Sequence, residues 1–146
     1  MKYRQKENAP LIVEEVQSTA LENPGYWVER IVAGLPVAEF DALREMLGLS
    51  VEVMAHKIGI SIATLSRRRG QKLPLDQNHS DRLIRYARLY WLTVDFFNGD
   101  ATTARAWFVR PARALNAQTP LDFAETEMGA REVEDLLGRL EHGVYV

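Results

Sequence analysis

The chain has 146 residues, of which 47% are apolar and 26% charged, with a formal net charge of −2 and no cysteine. This is the composition of a folded chain of one domain or two small ones, and it excludes disulfides, thiolate catalysis and cysteine-based zinc sites. No apolar run approaches the roughly 18 residues of a membrane span and "MKYRQKENAP" lacks the apolar stretch of a signal peptide, so a cytoplasmic protein is expected.

Apolar residues recur at helical spacing nearly everywhere; only "LIVEEV" near the start alternates weakly as a strand would. The first twenty or so residues are otherwise polar and unpatterned and read as a loose arm. After the turn "NPG", Trp27, Val28, Ile31 and Val32 predict a helix. Pro36 suits the first turn of the next one, where Phe40, Leu43 and Leu47 form an apolar stripe. Gly48 stops it, Ser50 caps a short helix through Lys57, Gly59 stops that helix, and Ser61 caps another running to about Arg69. A long helix is predicted from about Ser80 to Phe97, with Leu83, Ile84, Ala87, Trp91 and Val94 on one side and Arg82, Arg85 and Arg88 on another. Asn98-Gly99-Asp100 ends it and opens a helix carrying Trp107 and Phe108, which stops before Pro111. Thr119-Pro120 opens a short helix that Gly129 breaks, and a last helix from about Ala130 to Glu141 shows Val133, Leu136, Leu137 and Leu140 at helical spacing. The expected fold class is all-α.

Charge is unevenly distributed. Between His56 and Tyr90 eight Lys/Arg stand against two acids, a local +6 that leaves −8 for the rest of the chain. Field strength follows local charge, so two surfaces with different partners are expected. Within this stretch "GISIATLSRRR" has the layout of a helix-turn-helix. Ala55 gives the small residue where the helices cross, Gly59 the turn, and Ile60 the aliphatic pin. Ile62 and Leu65, with Met54 and Ile58, are expected to be buried. Ser61, Ala63, Thr64, Arg67 and Arg68 are then left to face DNA. Small residues allow close approach to the groove floor, the helix N-terminus favours phosphate, and the arginine forks match guanine O6 and N7. Arg69 and Lys72, at the helix end, are better placed for phosphates. The competing reading is a structural hairpin with incidental charge.

Histidines His56, His79 and His142 lie on separate segments without metal-ligand spacing, and no nucleophile elbow, P-loop or paired carboxylate appears. No enzymatic activity, cofactor or metal is expected. Trp107 and Phe108 belong to the core or to a partner surface. The terminal "HGVYV" places two valines and a tyrosine beyond a helix-ending glycine. They fold back on the last helix or enter another protein's pocket.

"VEVMAHKIGISIATLSRRR" resembles the helix-turn-helix of Xre-type bacterial regulators. "ARAWFVRPARALNAQTPLDFAETEMGAREVEDLLGRLEHG" resembles the C-terminal domain of the Xre/MbcA/ParS antitoxins, through Trp107, Pro111, Leu115, Thr119-Pro120-Leu121-Asp122, Thr126, Gly129, Val133, Leu137, Leu140 and Gly143. The pattern departs at Asn116-Ala117, where a Gly-Gly-like turn is usual; asparagine tolerates the left-handed conformation such a turn needs. Behind the flexible arm expected over 1–24, the resemblance implies an Xre-like helix-turn-helix DNA-binding domain over 25–99 and a small C-terminal toxin-binding domain over 100–146. It also implies an antitoxin that neutralises a RES-domain, NAD⁺-consuming toxin and represses its own operon, as a homodimer on two-fold operator DNA. Gly143, Val144, Tyr145 and Val146 are then the expected toxin-binding tail. The rival readings are an Xre-type transcriptional regulator without a toxin, and a protein-binding module whose helix-turn-helix no longer reads DNA.

Overall fold

The computed structural model describes residues 24–143. The expected arm as far as residue 23, "LIVEEV" within it, and Val144–Val146 lie outside the described residues. The described chain forms eight α-helices and one 3-10 turn, and its only β-type pairing is the single bridge Ala112–Gln118. It divides into two compact units, the division falling between Asp81 and Arg82.

The first unit holds α1 (Pro24–Ala33), α2 (Val37–Leu47), α3 (Val51–Ile58), α4 (Ile62–Gly70) and the first turn of α5 (Gln77–Phe96). Stop and start signals fall where the side chains demand them. Gly48 and Gly59 end α2 and α3 at φ 69° and 75°, in the left-handed region that a Cβ disfavours. The Ser50 hydroxyl accepts the Val53 N–H at 3.2 Å, and the Ser61 hydroxyl accepts the Thr64 N–H at 3.1 Å. Helices α2, α3 and α4 pack on one another around Phe40, Leu43, Met54, Ile58 and Leu65, all buried. In α1 the expected stripe is only partly covered: Trp27 is buried, whereas Val28 and Val32 are exposed. Pro36 stands just before α2, at an extended ψ of 147°, rather than within its first turn.

The α4–α5 connection and the start of α5 are tied back to the α1–α2 connection. The Leu75 N–H donates to the Leu35 carbonyl at 2.8 Å, and the Leu35 N–H donates to the buried Ser80 hydroxyl at 2.9 Å. Gly34 makes this approach possible, because a Cβ there would stand 2.3 Å from the Leu75 carbonyl oxygen.

The second unit comprises the rest of α5, α6 (Ala101–Phe108), the 3-10 turn Arg113–Leu115, α7 (Pro120–Phe123) and α8 (Glu127–Glu141). The buried surface of α5 is broader than the predicted stripe. Tyr86, Leu89 and Tyr90 are buried beside Leu83, Ala87 and Val94, so more than one face of this helix is covered. Burial pushes the Tyr90 hydroxyl above its ordinary pKa, against the opposing pull of nearby Arg105. Asn98 and Gly99 both take positive φ, and Asp100 caps α6 by accepting the Thr103 N–H at 3.1 Å and hydroxyl at 2.6 Å.

Gly129 does not break a helix. Thr126 caps α8 by accepting the Gly129 N–H at 2.9 Å, and the helix starts at Glu127, earlier than predicted. The glycine is needed for close approach instead: a Cβ there would fall 1.8 Å from the Phe123 carbonyl oxygen. Asn116 and Ala117 both adopt left-handed φ, 55° and 62°. Their turn lets the Ala112 N–H reach the Gln118 carbonyl at 2.9 Å.

Candidate functional site

Helix α4 is oriented by its buried side. Successive residues are rotated by about 100° in a helix of 3.6 residues per turn. With Leu65 facing the core at 2% exposure, Arg67 points nearly opposite and Ala63, Ser66 and Ile62 complete the exposed arc. Ile62 is thus a correction to the expected burial pattern: it is 43% exposed. Ile60, in the turn just before the helix, is buried, while the first helical residue stands at the rim.

The three arginines have three different environments. The Arg67 side chain is exposed and makes no hydrogen bond or ion pair with the described residues. Arg68 is half-buried and donates to the Pro74 carbonyl at 2.7 Å. Arg69 forms a two-pronged pair with the Asp41 carboxylate on α2, at 2.5 and 3.0 Å. Those hydrogen bonds, reinforced by the carboxylate's charge, raise the Arg69 guanidinium above its ordinary value. Arg68 and Arg69 therefore hold α4 from two flanks, while Arg67 projects freely. Lys72 is exposed just past the helix, at φ 55°.

At the other end of α4 the Ser61 hydroxyl donates to Thr64 Oγ1 at 2.9 Å while accepting the Thr64 N–H. The N–H groups of Ile62 and Ala63, which open the helix, have no partner within it and give this end its positive dipole. Behind the turn, His79 of α5 sets Nε2 3.2 Å from the Gly59 carbonyl and Nδ1 2.8 Å from Asp76. The contacts of Asp41, His79 and Ser80 are not legible in the sequence because each spans a long separation: 28 residues from Asp41 to Arg69, 20 from Gly59 to His79 and 45 from Leu35 to Ser80.

The arginine row of α5 is largely internal to the second unit. Arg85 pairs with Glu127 at 3.3 Å and donates to the Glu125 carbonyl, and Arg88 pairs with Glu134 at 3.5 Å. In that unit α7 and α8 pack together, and α8 buries Val133, Leu136 and Leu137. Leu140 is half-buried and Gly143, at φ 75°, is exposed. Among the described residues no three His, Asp or Glu gather to hold a metal, and no helix is long and apolar enough to cross a membrane.

Residues 27–88 match the family model of the Antitoxin Xre-like helix-turn-helix domain, and residues 92–143 that of the Antitoxin Xre/MbcA/ParS C-terminal toxin-binding domain. A protein of Photorhabdus laumondii named antitoxin Xre is 37% identical over 111 residues, 76% of this chain and 75% of that one. The chain belongs to the Xre antitoxin family. The antitoxin Xre of Yersinia enterocolitica is 35% identical over 118 residues, 81% of this chain and 80% of its own. That of Pseudomonas putida is 31% identical over 84 residues, 58% and 52% of the two chains. As a family member the chain is a toxin–antitoxin component with a helix-turn-helix followed by a toxin-binding domain.

Proposed function

We propose that the chain neutralises a RES-domain, NAD⁺-consuming toxin through its C-terminal unit and represses its own operon by binding operator DNA through α3 and α4. The observation that carries the DNA reading is the orientation of α4. Leu65 is buried, Arg67 is free and exposed, and neither Arg67 nor Arg68 is bound to a carboxylate of the described chain. Ser61, Ala63, Thr64 and Arg67 face the groove in this reading, with Lys72 on a phosphate. Arg68 and Arg69 chiefly fix the helix, and phosphate contact by either is secondary. A homodimer presents two such helices to half-sites about 34–36 Å apart.

The toxin reading is supported by the match over residues 92–143 and by the apolar end that follows Gly143. In the proposal Val144, Tyr145 and Val146 fill the toxin's cleft, and the terminal carboxylate meets a cationic phosphate-binding residue there. Two measurements test the function. The product of the adjacent gene is expected to co-purify with this chain and to consume NAD⁺ only when freed from it. In titrations, the gene's own upstream DNA is expected to bind more tightly than random DNA, with Arg67→Ala losing about 1–3 kcal/mol on the former and less on the latter. An adjacent product that consumes no NAD⁺, or equal affinity for both DNAs, refutes the corresponding half.

A further inference from the structure

Within the exposed arc of α4, Ala63, Ser66 and Arg67 are small or polar, but Ile62 is a large aliphatic side chain turned to water. It is the first residue of the helix, immediately after the Ser61 cap. In a helix-turn-helix the N-terminal residues of the second helix are those that reach base edges in the major groove. An isoleucine has no donor or acceptor to offer there. The apolar feature of the major groove it can recognise is the C5-methyl group of thymine, which no other base of DNA presents.

Resting on the proposed DNA-binding reading, we infer that Ile62 is a specificity residue that reads a thymine methyl in each operator half-site. The local geometry supports the contact. Ala63 beside it has only a methyl group, so the start of the helix can approach the groove floor. Ser61 is committed to capping Thr64 and does not compete for the base. Arg69, two turns on and on the same edge as Ile62, is held by Asp41, so that edge presents the isoleucine and not a free guanidinium. Arg67, on the opposite side of the arc, supplies hydrogen bonds to a neighbouring base pair. Recognition would then combine an apolar contact at one position with a polar contact at another.

The test uses the full chain and its own upstream DNA, with thymines replaced one at a time by deoxyuridine, which removes only the methyl group. For the wild type, one symmetry-related thymine position is expected to lose about fourfold in affinity, the factor that burial of a single methyl corresponds to. With Ile62→Ala that sensitivity is expected to disappear at that position alone, while affinity for random DNA stays unchanged and thermal unfolding remains a single cooperative transition. Ile62→Gln, able to bond adenine N6 and N7, is expected to move the preference at that base pair from thymine toward adenine. An Ile62→Ala protein that keeps the wild-type deoxyuridine profile overturns the inference, as does one that loses affinity equally on operator and random DNA. Wild-type protein that does not distinguish its upstream DNA from random DNA overturns the DNA-binding reading itself, and the inference with it.

Discussion

Ala117 sits at φ 62°, a conformation in which a Cβ crowds the neighbouring carbonyl, at a cost of about 1–2 kcal/mol per residue. The chain holds it there because the turn it completes lets the Ala112 N–H donate to the Gln118 carbonyl. Glycine would remove the crowding but add unfolded-chain freedom worth about 0.5–1 kcal/mol. Ala117→Gly is therefore expected to stabilise the protein by a net of about 0.5–1 kcal/mol, read as a higher urea midpoint at unchanged slope. Asn116 shows how much of this turn was legible: an asparagine in place of glycine signals tolerance of the left-handed region, and the structure places it there. Nothing local signalled Ile62. Its three-residue spacing from Leu65 argues burial, yet it stands at the rim while Ile60, in the turn before it, is buried.

At the scale of elements, helix ends were legible and helix anchors were not. Ser50, Ser61, Asp100, Thr119 and Gly59 cap or stop helices as their side chains require, because those interactions span three or four residues. Gly129 was misread for the complementary reason: its neighbour is the Phe123 carbonyl, a contact visible only once α7 and α8 are packed. The clip at Ser80 is likewise invisible in the sequence, and it sets where the chain leaving α4 returns to the core. Ser80→Ala would strand the Leu35 N–H in a dry site, and a loss of about 1–3 kcal/mol in unfolding free energy is expected. The α6 cap adds a pH signature. Hydrogen bonds from the Thr103 hydroxyl and N–H, in that order, hold the Asp100 carboxyl below its usual range. A depressed folded value means that the charged cap stabilises the fold above the ordinary carboxylate pKa and ceases to do so as pH falls through the folded value. Asp100→Asn keeps an acceptor but not the charge. It is expected to melt below the wild type by a constant margin between pH 7 and pH 5, and that margin is expected to close in stronger acid.

For the molecule as a whole, the excess of +6 between His56 and Tyr90 overstates the charge available to a partner. Arg85 and Arg88 are paired with Glu127 and Glu134 within the second unit, and Arg69 with Asp41 within the first. Fewer cations remain for DNA than the sequence count implied. Arg85→Gln is accordingly expected to lower thermal stability without changing the salt dependence of DNA binding. Lys72→Ala is expected to reduce the slope of log affinity against log salt by about 0.9, the value for one phosphate contact.

The proposed DNA face lies on α4, and the proposed toxin contact begins at Gly143, so each activity is open to separate removal. Arg67→Ala removes an exposed side chain that makes no hydrogen bond or ion pair among the described residues, and it is expected to relieve repression of the operon while the chain still silences its toxin. Deleting Val144–Val146 removes no residue of a described helix or cap. That variant is expected to bind operator DNA with wild-type affinity and to fail to protect growing cells when the toxin is expressed. Operator titration and growth under toxin induction, run on both variants, give four outcomes arranged as a cross. If the truncated chain still protects fully, the tail is not the plug; if either variant loses both activities, DNA and toxin share a surface and the assignment of one activity to each unit fails.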